Sequence, residues 1–167
     1  MCCIYQNVRG LRSKISNFYN SVSELINVDI IALTETWLAS DISNTEFLPH
    51  DFVVYRKDRD LQAMGVSRGG GVLLGINNTL KSSALDLSYL GDIVPTIDVV
   101  GVKLLSVKQE LILIVLYVPP QVSVHEFQLF LEALSRIDIQ ENNKILICGD
   151  FNIPDFTLGK INQFTLS

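Results

Sequence analysis

The sequence predicts an α+β fold in which two β-sheets stack face to face and helices cover the outside. The main observation is an order that occurs twice. A strand, a helix and a second strand ending in an acid follow one another over residues 2–35, and the same order returns over residues 111–150. Two such units can face each other as stacked sheets with outer helices. At 167 residues, 48% of them hydrophobic, the chain fits one domain, residues 1–167.

The first unit opens with a strand over residues 2–7 and a turn at Gly10. Apolar residues then recur at a spacing of three and four, which predicts an amphipathic helix with Ser13 as its N-cap. Residues 30–33 predict a buried strand, and Glu35 follows its carboxyl end. The apolar face of the helix consists of Ile15, Phe18, Tyr19, Val22, Leu25 and Ile26.

The middle of the chain predicts loops and two more strands. Residues 36–51 and 58–67 are expected to be loops, and residues 52–55 a strand. The glycines at 69–71 enter a strand over residues 72–76, and no Lys-Ser/Thr pair or helix follows them. This order excludes a nucleotide-binding P-loop. Close approach of the backbone to a neighbour or ligand explains the glycines better.

The second unit contains three strands and a helix. Residues 97–107 and 111–118 predict two long strands joined by a hairpin at 108–110, and two prolines end the second strand. An apolar run at 145–147 predicts a buried strand with a glycine turn after it. The helix between them presents Phe127, Phe130, Leu131 and Leu134 on one face.

Composition excludes several classes of protein. The longest apolar run, residues 111–118, is far below the ~18 residues of a membrane span, and no basic segment followed by an apolar one opens the chain. We therefore expect an unsecreted intracellular protein, nuclear or cytoplasmic, with no membrane partner. Three cysteines are an odd number, which argues against a disulfide framework. His50 and His125 stand in no ligand spacing with them, which argues against structural zinc.

Charge and hydropathy leave two questions open. The net charge of -5 argues against tight nonspecific binding to nucleic acid, but it does not exclude a nuclease. The mean hydropathy of +0.31 fits either a strand-rich core or an apolar surface that more chain would cover. The basic residues of the first 68 positions form either a solvated face or a track for phosphates. They are Arg9, Arg12, Lys14, Arg56, Lys57, Arg59 and Arg68.

Polar side chains stand at four predicted strand ends: Asn7, Glu35, Tyr117, and Asp150 with Asn152. Taken singly, each is more typical of a cap, a turn or a packing residue. Together they supply two carboxylates with amide and phenol donors. Metal-assisted phosphodiester hydrolysis needs such a set: hard oxygen ligands for Mg²⁺, a base for water, and donors for the developing phosphate charge.

Five motifs in this order resemble the endonuclease/exonuclease/phosphatase superfamily. The closest resemblance is to the endonuclease domain of non-LTR retrotransposons, and it extends from Asn7 to about Asp155. The motifs are Asn-Val-Arg-Gly-Leu-Arg at 7–12, Leu-Thr-Glu-Thr-Trp-Leu at 33–38, Arg-Gly-Gly-Gly at 68–71, Leu-Tyr-Val-Pro-Pro at 116–120 and Gly-Asp-Phe-Asn at 149–152.

The resemblance implies a four-layer α/β/β/α sandwich of two mixed sheets and the cleavage of DNA with Mg²⁺ or Mn²⁺. It implies that Glu35 is the main metal ligand and that Asn7 supports it. Asp150 would orient or deprotonate the attacking water, and Asn152 would hold that arrangement. Tyr117 would contact the scissile phosphate or the leaving oxygen.

The resemblance also implies DNA as a partner and a reverse-transcriptase region in a longer parent polypeptide. Arg68, Arg9 and Arg12 would contact DNA phosphates. Arg9 is also a departure from the family, because many members carry an aspartate there. One acid near the metal is therefore missing.

A second departure concerns a Ser-Asp-His motif with which the family ends. This sequence has no Asp-His pair, and neither His50 nor His125 matches the position of the family's histidine. We therefore expect a C-terminally truncated domain with an incomplete second sheet and defective cleavage. Two alternatives stay open: a noncatalytic remnant or interaction module of the same fold, and a phosphomonoesterase of the same superfamily.

Overall fold

A computed structural model describes residues 1–25, 27–105, 110–137 and 143–152, and it shows two four-stranded sheets packed face to face. The strands are β1 (Cys3–Asn7), β2 (Ile30–Thr34), β3 (Phe52–Lys57), β4 (Val72–Asn77), β5 (Lys81–Leu85), β6 (Asp98–Leu105), β7 (Glu110–Tyr117) and β8 (Lys144–Asp150). The helices are α1 (Ile15–Glu24), α2 (Ser88–Ile93) and α3 (Val124–Leu134). Within the described ranges, no helix is long and apolar enough to cross a membrane.

Both sheets are mixed, as the resemblance implied. The first has the order β1-β2-β4-β3 and the second β5-β6-β7-β8. In each sheet one pair is parallel, β1 with β2 and β7 with β8, and the other pairs are antiparallel. A parallel pair needs a crossover, and α1 and α3 lie in the two crossovers. The repeated strand-helix-strand order therefore produces the same local arrangement in both halves.

Three apolar clusters join four layers. The cluster between the sheets includes Ala32, Leu74 and Val115, all fully buried. A second cluster packs α1 and the segment around Phe47 on the outer face of the first sheet. A third packs α2 and α3 on the outer face of the second sheet and includes the fully buried Phe130. These contacts confirm the predicted four-layer sandwich. The expected incompleteness of the second sheet stays a prediction.

Two local expectations were wrong. Ser13 lies inside a 3-10 turn over Arg12–Lys14, and no side-chain hydrogen bond caps α1. The strand at 145–147 is not fully buried, since Leu146 and Ile147 are each 40% exposed. The reason is its place: among the described residues β8 pairs with β7 alone and lies at the edge of its sheet.

Other elements were missed or extend differently. The sequence did not predict β5 and α2, because β5 has a polar sequence without apolar alternation and α2 spans only six residues. The predicted α3 is confirmed, and Ser123 and Glu126 form a capping box at its start. In the expected hairpin, Leu105 pairs with Glu110, while residues 106–109 lie outside the described residues. Ile26, predicted on the apolar face of the first helix, also lies outside them.

Gly149 is the position where we expect a small substitution to cost most. Its φ is +155°, a conformation that is nearly restricted to glycine, and a Cβ there would overlap the carbonyl group of Leu116. We expect Gly149→Ala to lower the free energy of unfolding by about 3 kcal/mol. Gly65→Ala is the matched control, because Gly65 also has positive φ but a Cβ there would meet no atom within 4 Å. Urea unfolding that gives equal losses for the two variants would contradict this account.

Candidate active site

The two parallel strand pairs deliver their polar ends to the same place. In the first sheet Asn7 pairs with Thr34, so β1 and β2 end side by side and Glu35 follows. In the second sheet Tyr117 pairs with Asp150, so β7 and β8 also end together. Asn7, the last residue of β1, is hydrogen-bonded to Asp150, the last residue of β8, so the four carboxyl ends meet at one end of the sandwich.

The side chain of Asn7 joins the two sheets. Its Nδ2 donates a hydrogen bond to Glu35 Oε1 at 3.1 Å and another to Asp150 Oδ2 at 2.6 Å. Glu35 follows a strand of the first sheet and Asp150 ends a strand of the second, yet one nitrogen atom is hydrogen-bonded to both carboxylates. The Asn7 Oδ1 accepts the backbone N–H of Arg9 at 3.1 Å, which fixes the orientation of the amide. The sequence predicts that Asn7, Glu35, Tyr117, Asp150 and Asn152 converge at one end of the sandwich, and these hydrogen bonds bring Asn7, Glu35 and Asp150 together.

The backbone that carries Glu35 is strained. Glu35 and Trp37 have φ values of 53° and 52°, in the left-handed region that costs a residue with a side chain about 1–2 kcal/mol. On one side, Gly10 N donates to Glu35 O at 2.8 Å and Leu11 N donates to Thr36 O at 2.8 Å. These hydrogen bonds offset the strain, so the loop after β1 holds the loop after β2.

The triple glycine holds the same loop from its other side. Thr36 N donates to Gly71 O at 3.2 Å, and Trp37 N donates to Gly70 O at 3.0 Å. Gly71 has φ +83°, and a Cβ there would lie 2.5 Å from Thr36 Oγ1. The glycines therefore permit close contact between backbones, as the sequence predicted. Glu35 is presented by a loop that is hydrogen-bonded along both edges.

Tyr117 completes this end of the sandwich from the second sheet. Its side chain is largely buried, and the Arg59 guanidinium lies 5.3 Å from the centre of its ring. Burial is the main reason that the pKa of the phenol is raised to about 12, and the negative charge of Glu35 acts in the same direction. Tyr117 therefore stays protonated at neutral pH and can donate a hydrogen bond.

The raised pKa of Tyr117 predicts how stability changes in alkali. A phenol with an ordinary pKa of 10.0 in the unfolded chain and about 12 in the folded chain loses its stabilising contribution as pH rises from 10 to 12. Below pH 10 that contribution is fully present. We expect Tyr117→Phe to lose less stability than the wild type between pH 10 and 12 in urea unfolding. Tyr19→Phe, on α1, is the control, and equal losses in Tyr117→Phe and the wild type would contradict the expectation.

The remaining predicted residues contribute less directly. Asn152 is exposed, and its backbone N lies 3.5 Å from Asp150 Oδ1, so the contact runs through its main chain. Arg9 also acts through its backbone, and its side chain is exposed. Arg12 forms an exposed ion pair with Asp41 at 2.9 Å. The roles expected of Asn152, Arg9 and Arg12 remain predictions.

Arg68 is exposed, and its guanidinium lies 5.5 Å from the centre of the Trp37 ring. Gly10 also lies against that ring, since a Cβ at Gly10 would come within 2.6 Å of it. Arg68 is thereby held beside the loop that carries Glu35. The phosphate contact expected of Arg68 remains a prediction.

Tyr5 is a residue of this region that sequence reasoning missed. Its hydroxyl is 3.1 Å from Thr34 Oγ1, and burial is the main reason that its pKa is raised, with the charges of Asp150 and Glu35 acting in the same direction. A signal was present: Tyr5 stands two residues before Asn7 in one strand, so both side chains point to the same face.

The carboxylates suit a hard divalent cation. Mg²⁺ commonly binds through one or two carboxylates and keeps several waters, and Glu35 with Asp150 supplies that number. One oxygen of each carboxylate accepts a hydrogen bond from the Asn7 Nδ2, at 3.1 Å for Glu35 and 2.6 Å for Asp150. Within the described part of the chain, no group of three or more His, Cys, Asp or Glu gathers as a metal site. Carboxylate oxygens are hard ligands of the kind that Mg²⁺ and Mn²⁺ prefer, so the two residues fit such an ion.

Comparison with known proteins agrees with this fold and arrangement. The chain belongs to the Endonuclease/Exonuclease/phosphatase family, whose model matches residues 4–163. Members of the superfamily are hydrolases that act on phosphodiester bonds and are generally dependent on divalent metals. The comparison with curated proteins gives no match.

Solved structures share the fold at low sequence identity. A humanized D. rerio TDP2 with 14 mutations is 14% identical with a TM-score of 0.62, over 96% of this chain and 69% of that one. The endonuclease domain of TRAS1, a telomere-specific non-LTR retrotransposon, is 11% identical with a TM-score of 0.61, and the match covers 90% of this chain and 58% of that one. D. rerio TDP2 complexed with single-strand DNA product is 13% identical with a TM-score of 0.57, and the match covers 92% of this chain and 61% of that one. The chain thus spans 58% to 69% of the lengths of these proteins.

Proposed function

We propose that this chain is a Mg²⁺-dependent endonuclease-type domain, of the kind that hydrolyses DNA phosphodiester bonds to nick the target site of a retrotransposon, and that cleavage is defective in these 167 residues alone. The observation that carries the proposal is the Asn7 amide, which holds Glu35 and Asp150 together at 3.1 and 2.6 Å. The likeness to the TRAS1 endonuclease domain supports DNA as the substrate. The likeness to TDP2 complexed with single-strand DNA product supports it independently.

The residues divide the chemistry between the two sheets. Glu35, with Asp150 near it, would hold Mg²⁺ or Mn²⁺, and the bound cation would stabilise the negative charge that develops on the phosphate. Asp150 orients the attacking water and accepts its proton, and the Asn7 amide holds its carboxylate through Oδ2 at 2.6 Å. The Tyr117 hydroxyl donates a hydrogen bond to a phosphate oxygen.

Asn7 and Asn152 orient Asp150 in this proposal. Asn7 does so through its side-chain amide, and Asn152 through its backbone N. Arg68 contacts the DNA phosphates, with Arg9 and Arg12 as further contacts. DNA is the proposed partner, together with a reverse-transcriptase region in a longer parent polypeptide, and the proposed location is inside the cell, in the nucleus or the cytoplasm.

A noncatalytic module of the same fold is the second candidate. It is favoured by a specific observation: within the described residues, no group of three or more His, Cys, Asp or Glu side chains gathers as a metal site. The sequence also lacks the Asp-His pair that the family uses at the scissile phosphate. Such a module would keep the fold and bind nucleic acid or a protein without cleaving DNA.

Cleavage of plasmid DNA tests the proposal. We expect the 167-residue chain alone to nick supercoiled plasmid near background with Mg²⁺, because loss of one donor to a reacting anion typically costs about 10² to 10³ in rate. A chimaera that joins this chain to the part of the TRAS1 endonuclease domain it does not cover should nick the plasmid. Asp150→Ala in the chimaera should reduce nicking by at least about 10²-fold.

The outcomes separate the candidates. A folded chimaera that fails to nick, and that binds DNA equally well with Asp150→Ala, supports the noncatalytic module. Robust nicking by the unextended chain, abolished by Asp150→Ala, would show that the Asp-His pair is dispensable here. Release of inorganic phosphate from inositol phosphates, without nicking, would point to a phosphomonoesterase instead.

A further inference from the structure

A buried ion pair lies beside the site and takes no part in the chemistry described above. Arg59 and Asp98 are joined at 2.7 Å, and their side chains are only 9% and 4% exposed. Arg59 belongs to the segment after β3 in the first sheet, and Asp98 begins β6 in the second. Burying two charges carries a desolvation cost, so such a pair is weak evidence for stability alone. Its contacts indicate what else it does.

Asp98 reaches the loop that carries Glu35 through one glycine. The Asp98 Oδ2 accepts the backbone N–H of Gly71 at 2.8 Å, and Gly71 O accepts the backbone N–H of Thr36 at 3.2 Å. A Cβ at Gly70 would overlap both Arg59 and Asp98, so the triple glycine lies directly on the pair. A carboxylate of the second sheet thus fixes a loop of the first.

Arg59 reaches the other half of the site. Its guanidinium lies 5.3 Å from the centre of the Tyr117 ring, and it donates to Thr96 O at 2.7 Å. Asp98 is also directly opposite Tyr117 in the pairing of β6 with β7. The pair therefore contacts Tyr117 on one side and the support of Glu35 on the other.

We propose that Arg59 and Asp98 are positioning residues that fix the Glu35 loop and Tyr117 relative to each other across the two sheets. Asn7 makes the corresponding connection on the β1 and β8 side. The proposal rests on the proposed function, because it assigns the pair to the same site. In this proposal the triple glycine supports the loop that carries Glu35, the proposed metal ligand. The glycines do not themselves contact a bound molecule.

Trp37 is the single tryptophan of the chain and lies in the Glu35 loop, so its fluorescence reports the position of that loop. The test compares three proteins with the wild type: Asp98→Ala, the double variant Arg59→Met/Asp98→Leu, and Lys103→Met. The double variant removes both charges and leaves no buried charge unpaired, which is often tolerated without loss of stability. Lys103→Met is the matched control, because it breaks the Lys103–Glu110 ion pair elsewhere on β6. Each protein is assayed for melting temperature, Trp37 emission with acrylamide quenching, and Mn²⁺ affinity.

We expect the double variant to stay folded, to shift Trp37 emission to longer wavelength, and to bind Mn²⁺ about tenfold more weakly, as is typical when the support of a metal ligand is removed. Asp98→Ala should show the same changes with a lower melting temperature. Lys103→Met should show neither. A folded double variant with wild-type emission and wild-type Mn²⁺ affinity would overturn the proposal. Glu35→Gln, measured in the same way, distinguishes failure of the proposed function. If the proposed function is wrong, Glu35→Gln leaves the affinity for Mn²⁺ unchanged. The emission of Trp37 in the Arg59 and Asp98 variants still tests the positioning role.

Discussion

Asn7→Asp is expected to destabilise the chain without divalent cations and to make its stability depend on them. The substitution replaces the amide donor between Glu35 and Asp150 with a third carboxylate. Two hydrogen bonds to charged acceptors are lost, each worth about 1.5–3 kcal/mol when buried, and like-charge repulsion is added. The three residues are only partly buried, so solvent reduces the effect. We expect a loss of about 2–4 kcal/mol.

A divalent cation should reverse this loss. Three carboxylate side chains then offer hard oxygen to one location, so the affinity for Mn²⁺ should rise above that of the wild type by about tenfold or more. Melting curves with and without Mn²⁺ measure both effects. In a chain of this size the loss corresponds to a fall in Tm of roughly 5–15 °C without the cation.

Asn7→Ala separates loss of the bridge from gain of charge. It removes the same hydrogen bonds without a third carboxylate, so it should be destabilised less and should gain no extra stability from Mn²⁺. If Asn7→Asp and Asn7→Ala melted alike at every Mn²⁺ concentration, the acids would not converge as described.

The part of the site that could be predicted from the sequence follows from strand direction. Asn7, Glu35, Tyr117 and Asp150 each end or follow a predicted strand, and parallel pairing brings neighbouring strand ends to one edge. Apolar runs located β2, β4 and β7 well, because these strands are buried along most of their length. The strand predicted at residues 2–7 also matches β1, although no residue of β1 is fully buried. The two-sheet stacking followed from the repeated strand-helix-strand order.

The features that sequence reasoning missed depend on contacts between distant segments. Nothing near Arg59 indicates that Asp98, in the other sheet, is its partner at 2.7 Å. The positive φ of Glu35 and Trp37 is imposed by hydrogen bonds from two other loops, so local propensity does not reveal it. Tyr5 was missed for a different reason, since an aromatic residue in a strand usually indicates packing.

The burial of β8 was misjudged because an apolar run does not show which strands flank it. Residues 145–147 have the composition of a central strand, yet Leu146 and Ile147 are 40% exposed at the edge of the described sheet. Strand order is a property of the whole topology. The strand β5 was not predicted because its sequence is polar. It lies at an edge of its sheet, where a strand needs little apolar surface.

Binding of Mn²⁺ measured by calorimetry tests most directly the central claim, that Glu35 and Asp150 form one site for a hard cation. Weak binding to the wild type is expected, because two carboxylates leave most of the coordination to water. Glu35→Gln and Asp150→Asn should each lower the affinity at least about tenfold, equivalent to about 1.4 kcal/mol. Glu24→Gln, an exposed acid at the end of α1, should leave the affinity unchanged. Equal Mn²⁺ affinity in the wild type, Glu35→Gln and Asp150→Asn would contradict the account.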